Sequence, residues 1–238
     1  MSEVQYYTYT IDDPVDRLAR RLEGCFAASD ENQTDLAAFF LASIPETLPS
    51  SLTGHVQSGT LMDIAQFNDQ LRSVADDDSA WADAPNSEAL VQYFEGLEHT
   101  EQINTTQLLG LSHSLLTRQP SEEPPAALLD AAKRLLNKFE VFGRLFTLYN
   151  ARFRKETDRF DNPLNYTLLS LVLLNLFERT QQPEYLNTAL KLNDLIAPIA
   201  DRLDQPAEAG AACAALCYGK SQVEAFYASR EFRLPADQ

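Results

Sequence analysis

No run of about 18 apolar residues occurs in this 238-residue chain, which excludes a membrane-spanning helix. The nearest approach, Leu168 to Phe177, is interrupted by Ser170 and Asn175 and closed by Glu178 and Arg179. Cysteine is scarce as well: Cys25, Cys213 and Cys217 are too few, and odd in number, for a disulfide framework, and they suit a reducing compartment. Only three histidines are present, His55, His99 and His113, and no Glu-x-x-His occurs, so a histidine-rich or di-iron centre is not expected. The start, MSEVQYYTYTIDD, has neither the basic beginning nor the apolar stretch of a secretory leader. A cytoplasmic location is the expectation.

Positive charge is thin in the first half. Residues 1–119 carry 19 acidic and 5 basic side chains, a net of −14, whereas residues 120–238 carry 16 and 14, a net of −2. An acidic surface repels phosphate backbones and anionic lipid, so neither nucleic acid nor membrane is an expected partner. Only 5 of the 19 basic residues are lysine, a bias that a saline habitat or a GC-rich genome would equally produce.

What the chain does have is helical periodicity. Residues 162–199, NPLNYTLLSLVLLNLFERTQQPEYLNTALKLNDLIAPI, begin with a helix apolar nearly all round, which must lie buried. Asn162 caps it, Pro163 takes its first turn, and Gln181-Gln182-Pro183 ends it. A second helix from Pro183 carries Leu186, Ala189, Leu190, Leu192, Leu195, Ile196 and Ile199 at helical spacing, and the two should form an antiparallel hairpin.

Asp12-Asp13-Pro14 starts an earlier helix bearing Leu18, Leu22 and Phe26, with Arg17, Arg20 and Arg21 solvated or paired with the acidic half. Helices are also expected over residues 33–44, 60–74, 88–117 (interrupted near Gly96 or Gly110), 125–158 and 207–229, with a loop between Pro45 and Gly59. Residues 4–10, VQYYTYT, read as a short extended arm. The expected fold is therefore all-α: an irregular bundle or short α/α solenoid of about eight helices. The proline-rich RQPSEEPPA marks the boundary between an acidic helical part, 1–119, and a C-terminal bundle, 120–238, packed as one unit.

The phrase PEYLNTALKLNDLI resembles the second helix of hairpins in α/α-toroid sugar-active proteins and in small helical companions of biosynthetic enzymes. The resemblance implies a hairpin architecture and carries over no functional residue. A full toroid has more helices than this chain supplies.

Three constellations carry chemistry on paper. Along residues 126–159, Leu128, Ala132, Leu135, Phe139, Phe142, Phe146, Tyr149 and Phe153 share one helical stripe, and Lys133, Arg144, Arg152, Lys155 and Arg159 the other. Residues 133–159 hold 8 basic and 3 acidic side chains. Arg144, Arg152, Lys155 and Arg159 could therefore cradle a small anion such as a sugar phosphate, although a solvated face is the commoner use of such a run. AALCYGKS, residues 214–221, fits the loosest phosphate-loop pattern but lacks the preceding strand that such a loop needs. Cys213 and Cys217 face the same way on a helix, and the small residues of GAACAALC suit close helix packing.

No triad, nucleophile elbow or metalloprotease motif is present. The leading expectation is a non-catalytic interaction or accessory protein, without cofactor or metal, that binds another protein or itself. The alternative is an enzyme or binding protein for a small anionic metabolite.

Overall fold

The computed structural model describes residues 13–28, 31–56, 62–75, 81–83, 85–86, 88–97, 102–146, 148–149 and 162–229. The extended arm expected over residues 4–10 lies outside them. The described chain is an all-α bundle of ten α-helices, α1 (Pro14–Ala28), α2 (Glu31–Ala42), α3 (Ser50–Val56), α4 (Ile64–Ala75), α5 (Leu90–Glu95), α6 (Thr105–Arg118), α7 (Ala126–Phe142), α8 (Pro163–Thr180), α9 (Pro183–Ile196) and α10 (Pro206–Ser229). Two-residue strands β1 (Ile103–Asn104) and β2 (Leu148–Tyr149) pair antiparallel beside the start of α6. None of the described helices is long and apolar enough to cross a membrane.

The expected core helix is α8. From Leu164 to Phe177 only Tyr166 and Asn175 escape full burial. Asn162 Oδ1 accepts the Leu164 N–H at 2.9 Å, and Gln181 closes the helix in the left-handed conformation, at φ 56°. α8 packs against α9, α10, α6 and α7, so each side of the rod meets another helix. The two-residue turn folds α9 back along it, with Ser170 near Ala189 and Asn193. The apolar face of α9 is narrower than its sequence pattern suggests. Leu195 is 49% exposed, and Asn193 turns inward instead, because the buried stripe runs through Tyr185, Leu186, Ala189, Leu192, Asn193 and Ile196.

Buried side chains from Leu18 on α1 to Tyr218 on α10 belong to one continuous core cluster. α10 lies against α2 at very short range: a Cβ built on Gly210 would sit 2.7 Å from Ala37 Cα. The small residues Ala207, Ala209, Ala211, Ala212, Ala214 and Ala215 are all buried there, which is the close packing that GAACAALC foretells. α1 follows its signals, with Asp13 Oδ1 accepting from the Val15 N–H and Leu18 and Leu22 turned inward. Two of its arginines form ion pairs with the C-terminal part of the chain. Arg17 pairs with Asp201 at 2.8 Å and Arg21 with Asp204 at 3.0 Å, tying α1 to the chain just before α10.

Two boundaries differ from the sequence pattern, and one expected interruption is located. α3 occupies part of the expected loop between Pro45 and Gly59, because Leu48, Leu52 and Val56 find the core despite a helix of only 7 residues. The interruption expected near Gly96 or Gly110 falls at Gly96: the helical region over 88–117 breaks after Glu95 and resumes at Thr105, where Asn104 Oδ1 caps the N–H groups of Thr106 and Gln107; α6 then runs straight through Gly110. The helix expected to reach about residue 158 stops at Phe142, because Gly143 adopts φ 67° and its N–H bonds back to the Phe139 carbonyl. The expected stripe is thereby cut: Phe142 is 54% exposed, while Tyr149 is buried from β2.

Candidate functional site

The end of α7 bears directly on the proposed cation cradle. Arg144 lies on the surface just beyond Gly143, off the helix that would have aligned it with Lys133. Arg152, Lys155 and Arg159 lie outside the described residues.

The described chain forms its open groove elsewhere, along the outer side of α10. Two cavities of about 480 and 430 Å³ adjoin there and share Glu46, Thr47 and Ser221. The first opens between the start of α1, the turn at Pro45–Thr47 and the C-terminal half of α10; the second continues toward the end of α8. Local sequence fixes these walls. Asp13 is held at the groove edge as the cap of α1, one turn ahead of Asp16. Thr47 Oγ1 bonds back to the Ile44 carbonyl and fixes the short turn that carries Glu46. Lys220, Ser221 and Glu224 recur at helical spacing along α10.

The groove is acidic. Among the described residues, Asp13, Asp16, Glu46 and Glu224 line the first cavity with Lys220 as its one cation, and Glu178 lines the second. All six are exposed at their ends, so their charges face solvent and whatever enters. Tyr218 closes the floor of the second cavity. Its hydroxyl donates to Glu178 Oε2, and burial together with that neighbouring carboxylate pushes the phenol well above its ordinary range. Cys217 forms part of the floor of the first cavity, with Cys213 one turn deeper on α10 and completely buried.

Other polar groups are committed to the fold. At the starts of α6 and α8, Thr106 Oγ1 donates to Asn165 Oδ1 at 2.7 Å, and Gln107 Nε2 donates to Asn68 Oδ1 at 2.9 Å and to the Ala82 carbonyl at 2.7 Å. Asn165, in the first turn of α8, thus serves as a joint between helices. His113 is fully buried against Phe39 and Phe40, and neither ring nitrogen has a hydrogen-bond partner. Burial holds it neutral, with its pKa lowered to about 4. No group of three or more His, Cys, Asp and Glu placed to hold a metal occurs among the described residues.

Lys220 and Ser221, the end of the phosphate-loop look-alike, sit in the groove, but a continuous helix carries them and no glycine-rich loop forms. Sequence spacing signalled that Cys213 and Cys217 share a face. Nothing local signalled Glu46, because the groove joins elements more than 150 residues apart. Searches of protein-family models, of curated proteins and of solved structures found no match to this chain.

Proposed function

We propose that this chain is a non-catalytic helical interaction protein, and that its contact surface is the acidic groove between α1, the Pro45–Thr47 turn and α10. The occupant it suits is a lysine- or arginine-bearing segment of a partner protein. The observation that carries this reading is the lining among the described residues: five carboxylates, from Asp13, Asp16, Glu46, Glu178 and Glu224, converge from four separate parts of the chain against the single ammonium of Lys220. Such a potential draws cations and turns away phosphates and other anions. Thiols that remain unpaired, Cys25, Cys213 and Cys217, support a reducing, cytoplasmic setting. The α8–α9 hairpin supports a kinship with α/α-hairpin architectures at the level of packing alone.

The test is a fluorescence anisotropy titration of the full chain with a labelled peptide that alternates arginine and glycine. Because the whole protein is acidic, the decisive comparison is between two double variants. Asp16→Lys/Glu46→Lys should weaken binding about tenfold, which is about 1.4 kcal/mol, while Glu123→Lys/Glu184→Lys, an equal charge change on exposed residues away from the groove, should leave it nearly unchanged. Equal weakening by both pairs would reduce the effect to net charge and overturn the groove.

The second reading, a site for a small anionic metabolite, draws on Arg144, which is exposed at the head of the cation-rich segment. A melting-temperature rise with phosphorylated sugars that Arg144→Ala/Arg152→Ala abolishes would support it. No rise across such ligands would remove it.

A further inference from the structure

Two large apolar side chains stand next to one another in solvent at the end of α7: Val141 is 72% exposed and Phe142 is 54% exposed. Phe142 meets Phe146 edge to face with ring centroids 6.0 Å apart, and Lys138 Nζ lies 5.6 and 5.7 Å from the two centroids. An ammonium thus rests on an aromatic platform. Both carboxylates of this helix are engaged with cations, Asp130 with Arg134 and Glu140 with Lys191. The other charges at this end, Lys133, Lys138 and Arg144, therefore make the apolar patch positive.

We propose that the end of α7 docks in the acidic groove of a second copy of this chain. Self-docking rests on the reading of the groove as a cation-selective surface, and it names the occupant. The match has two parts. Lys138 and Arg144 complement the carboxylates of Asp13, Asp16, Glu46 and Glu224, and Val141 and Phe142 complement the apolar groups of Val15, Ile44, Leu48 and Ala225 set between them.

A copy cannot fill its own groove. Phe139 packs on Tyr166 in the first turn of α8, with ring centroids 6.1 Å apart, whereas Glu178 lies 12 residues further along the same helix, about 18 Å at 1.5 Å per residue. α7 is fixed to α5, α8 and α9, while the groove is built on α1, α10 and the turn after α2. The two surfaces are different, so the contact is head-to-tail, and each copy offers one groove and one α7 end. The net charge of −16 opposes association at long range. Contact is therefore expected at high protein concentration in about 0.1 M salt, where repulsion beyond ~10 Å is screened.

The test is sedimentation velocity of the full chain from low to high micromolar concentration. The wild type should sediment faster as concentration rises. Asp16→Lys/Glu46→Lys, which keeps the α7 end, and Lys138→Glu/Arg144→Glu, which keeps the groove, should each remain monomeric. Mixed in equal amounts, they should form a species of twice the chain mass, since the intact α7 end of the first meets the intact groove of the second. Phe142→Ser, at an exposed position outside the core, should by itself weaken wild-type association about tenfold. A wild type that is monomeric at every concentration, a mixture that stays monomeric while the wild type associates, or a Phe142→Ser variant that associates like the wild type would overturn self-docking. Lys138→Glu/Arg144→Glu should bind the arginine peptide as the wild type does. A monomeric wild type that still binds the peptide through Asp16 and Glu46 therefore removes self-docking alone, whereas loss of that selectivity removes the groove reading itself.

Discussion

Ser170 on α8 donates its hydroxyl to Asn193 Oδ1 on α9 at 2.7 Å, and Asn193 Nδ2 in turn donates to the Ala215 carbonyl on α10 at 2.9 Å. One amide thus joins the three helices that surround the centre of the fold. Ser170 is completely buried and Asn193 nearly so, which leaves no water to replace a lost partner. α10 makes room for the amide with Gly219, where a Cβ would lie 2.4 Å from Asn193 Nδ2.

Asn193→Leu should therefore destabilise the protein by roughly 2–4 kcal/mol, since it removes the amide's bonds to Ser170 and Ala215, leaves the Ser170 hydroxyl only its long 3.4 Å bond to the Ala189 carbonyl, and forces a branched side chain against Gly219. Adding Ser170→Ala should recover part of that loss, as the poorly partnered hydroxyl disappears with it. Urea denaturation of both single variants and the double variant gives the coupling. Strict additivity would show that the two side chains act independently.

Two glycines in helices should respond oppositely to alanine. Gly24, on the exposed side of α1, has nothing within 4 Å of a built Cβ, so Gly24→Ala should stabilise by about 0.5–1 kcal/mol through helix propensity. At Gly210 the same methyl would meet Ala37 Cα at 2.7 Å and its Cβ at 2.8 Å, and a neighbouring backbone cannot swing aside as a flexible side chain can. Gly210→Ala should cost about 1–3 kcal/mol despite the gain in propensity. Melting curves of the two variants check both signs.

Arg179 holds the end of α6 to the chain that follows it. Its guanidinium donates to the Leu116 carbonyl, in the last turn of α6, and to the Glu122 carbonyl in the proline-rich connection at 2.9 Å. Arg179→Met keeps an apolar stem and removes both bonds, so it should cost about 1–2 kcal/mol. Limited proteolysis should then cut the connection between residues 119 and 125 sooner than in the wild type. An unchanged cleavage rate would show that proline stiffness alone holds that segment.

How much of this could be read beforehand depended on whether burial follows from apolar composition. α8 announces itself, because leucine fills nearly every direction of the helix. α6 does not: TTQLLGLSHSLL is half polar, yet every one of these residues is buried. Its burial comes from neighbours far along the chain, with α4 on one side and α8 on the other, and from Asn68 and Asn165, which bond to Gln107 and Thr106. The end of α7 was visible only as Gly143, a residue tolerated inside helices as well as after them. The groove was the least legible feature, since Asp13, Glu46 and Lys220 become neighbours only once α10 has packed against α1 and α2.

His113 offers a titration that follows from the same hidden burial. Both ring nitrogens lack partners among Phe39, Phe40 and the rest of the core, and desolvation lowers the pKa to about 4 from the ordinary 6.5. Below pH 6.5 the unfolded chain binds a proton that the folded chain refuses. Stability should therefore be full above that pH and fall by up to about 1.4 kcal/mol per pH unit between 6.5 and 4. Carboxylates add their own pH dependence at the acidic end, so the comparison must be internal. Urea midpoints of the wild type and of His113→Leu at pH 7 and pH 5 isolate the histidine. The wild type should lose about 2 kcal/mol more than the variant over that interval. His113→Leu should be at least as stable at pH 7, because it removes two buried polar atoms that make no hydrogen bond. Parallel curves for the two proteins would mean that the imidazole titrates in the folded chain as it does in the unfolded one, contrary to its surroundings.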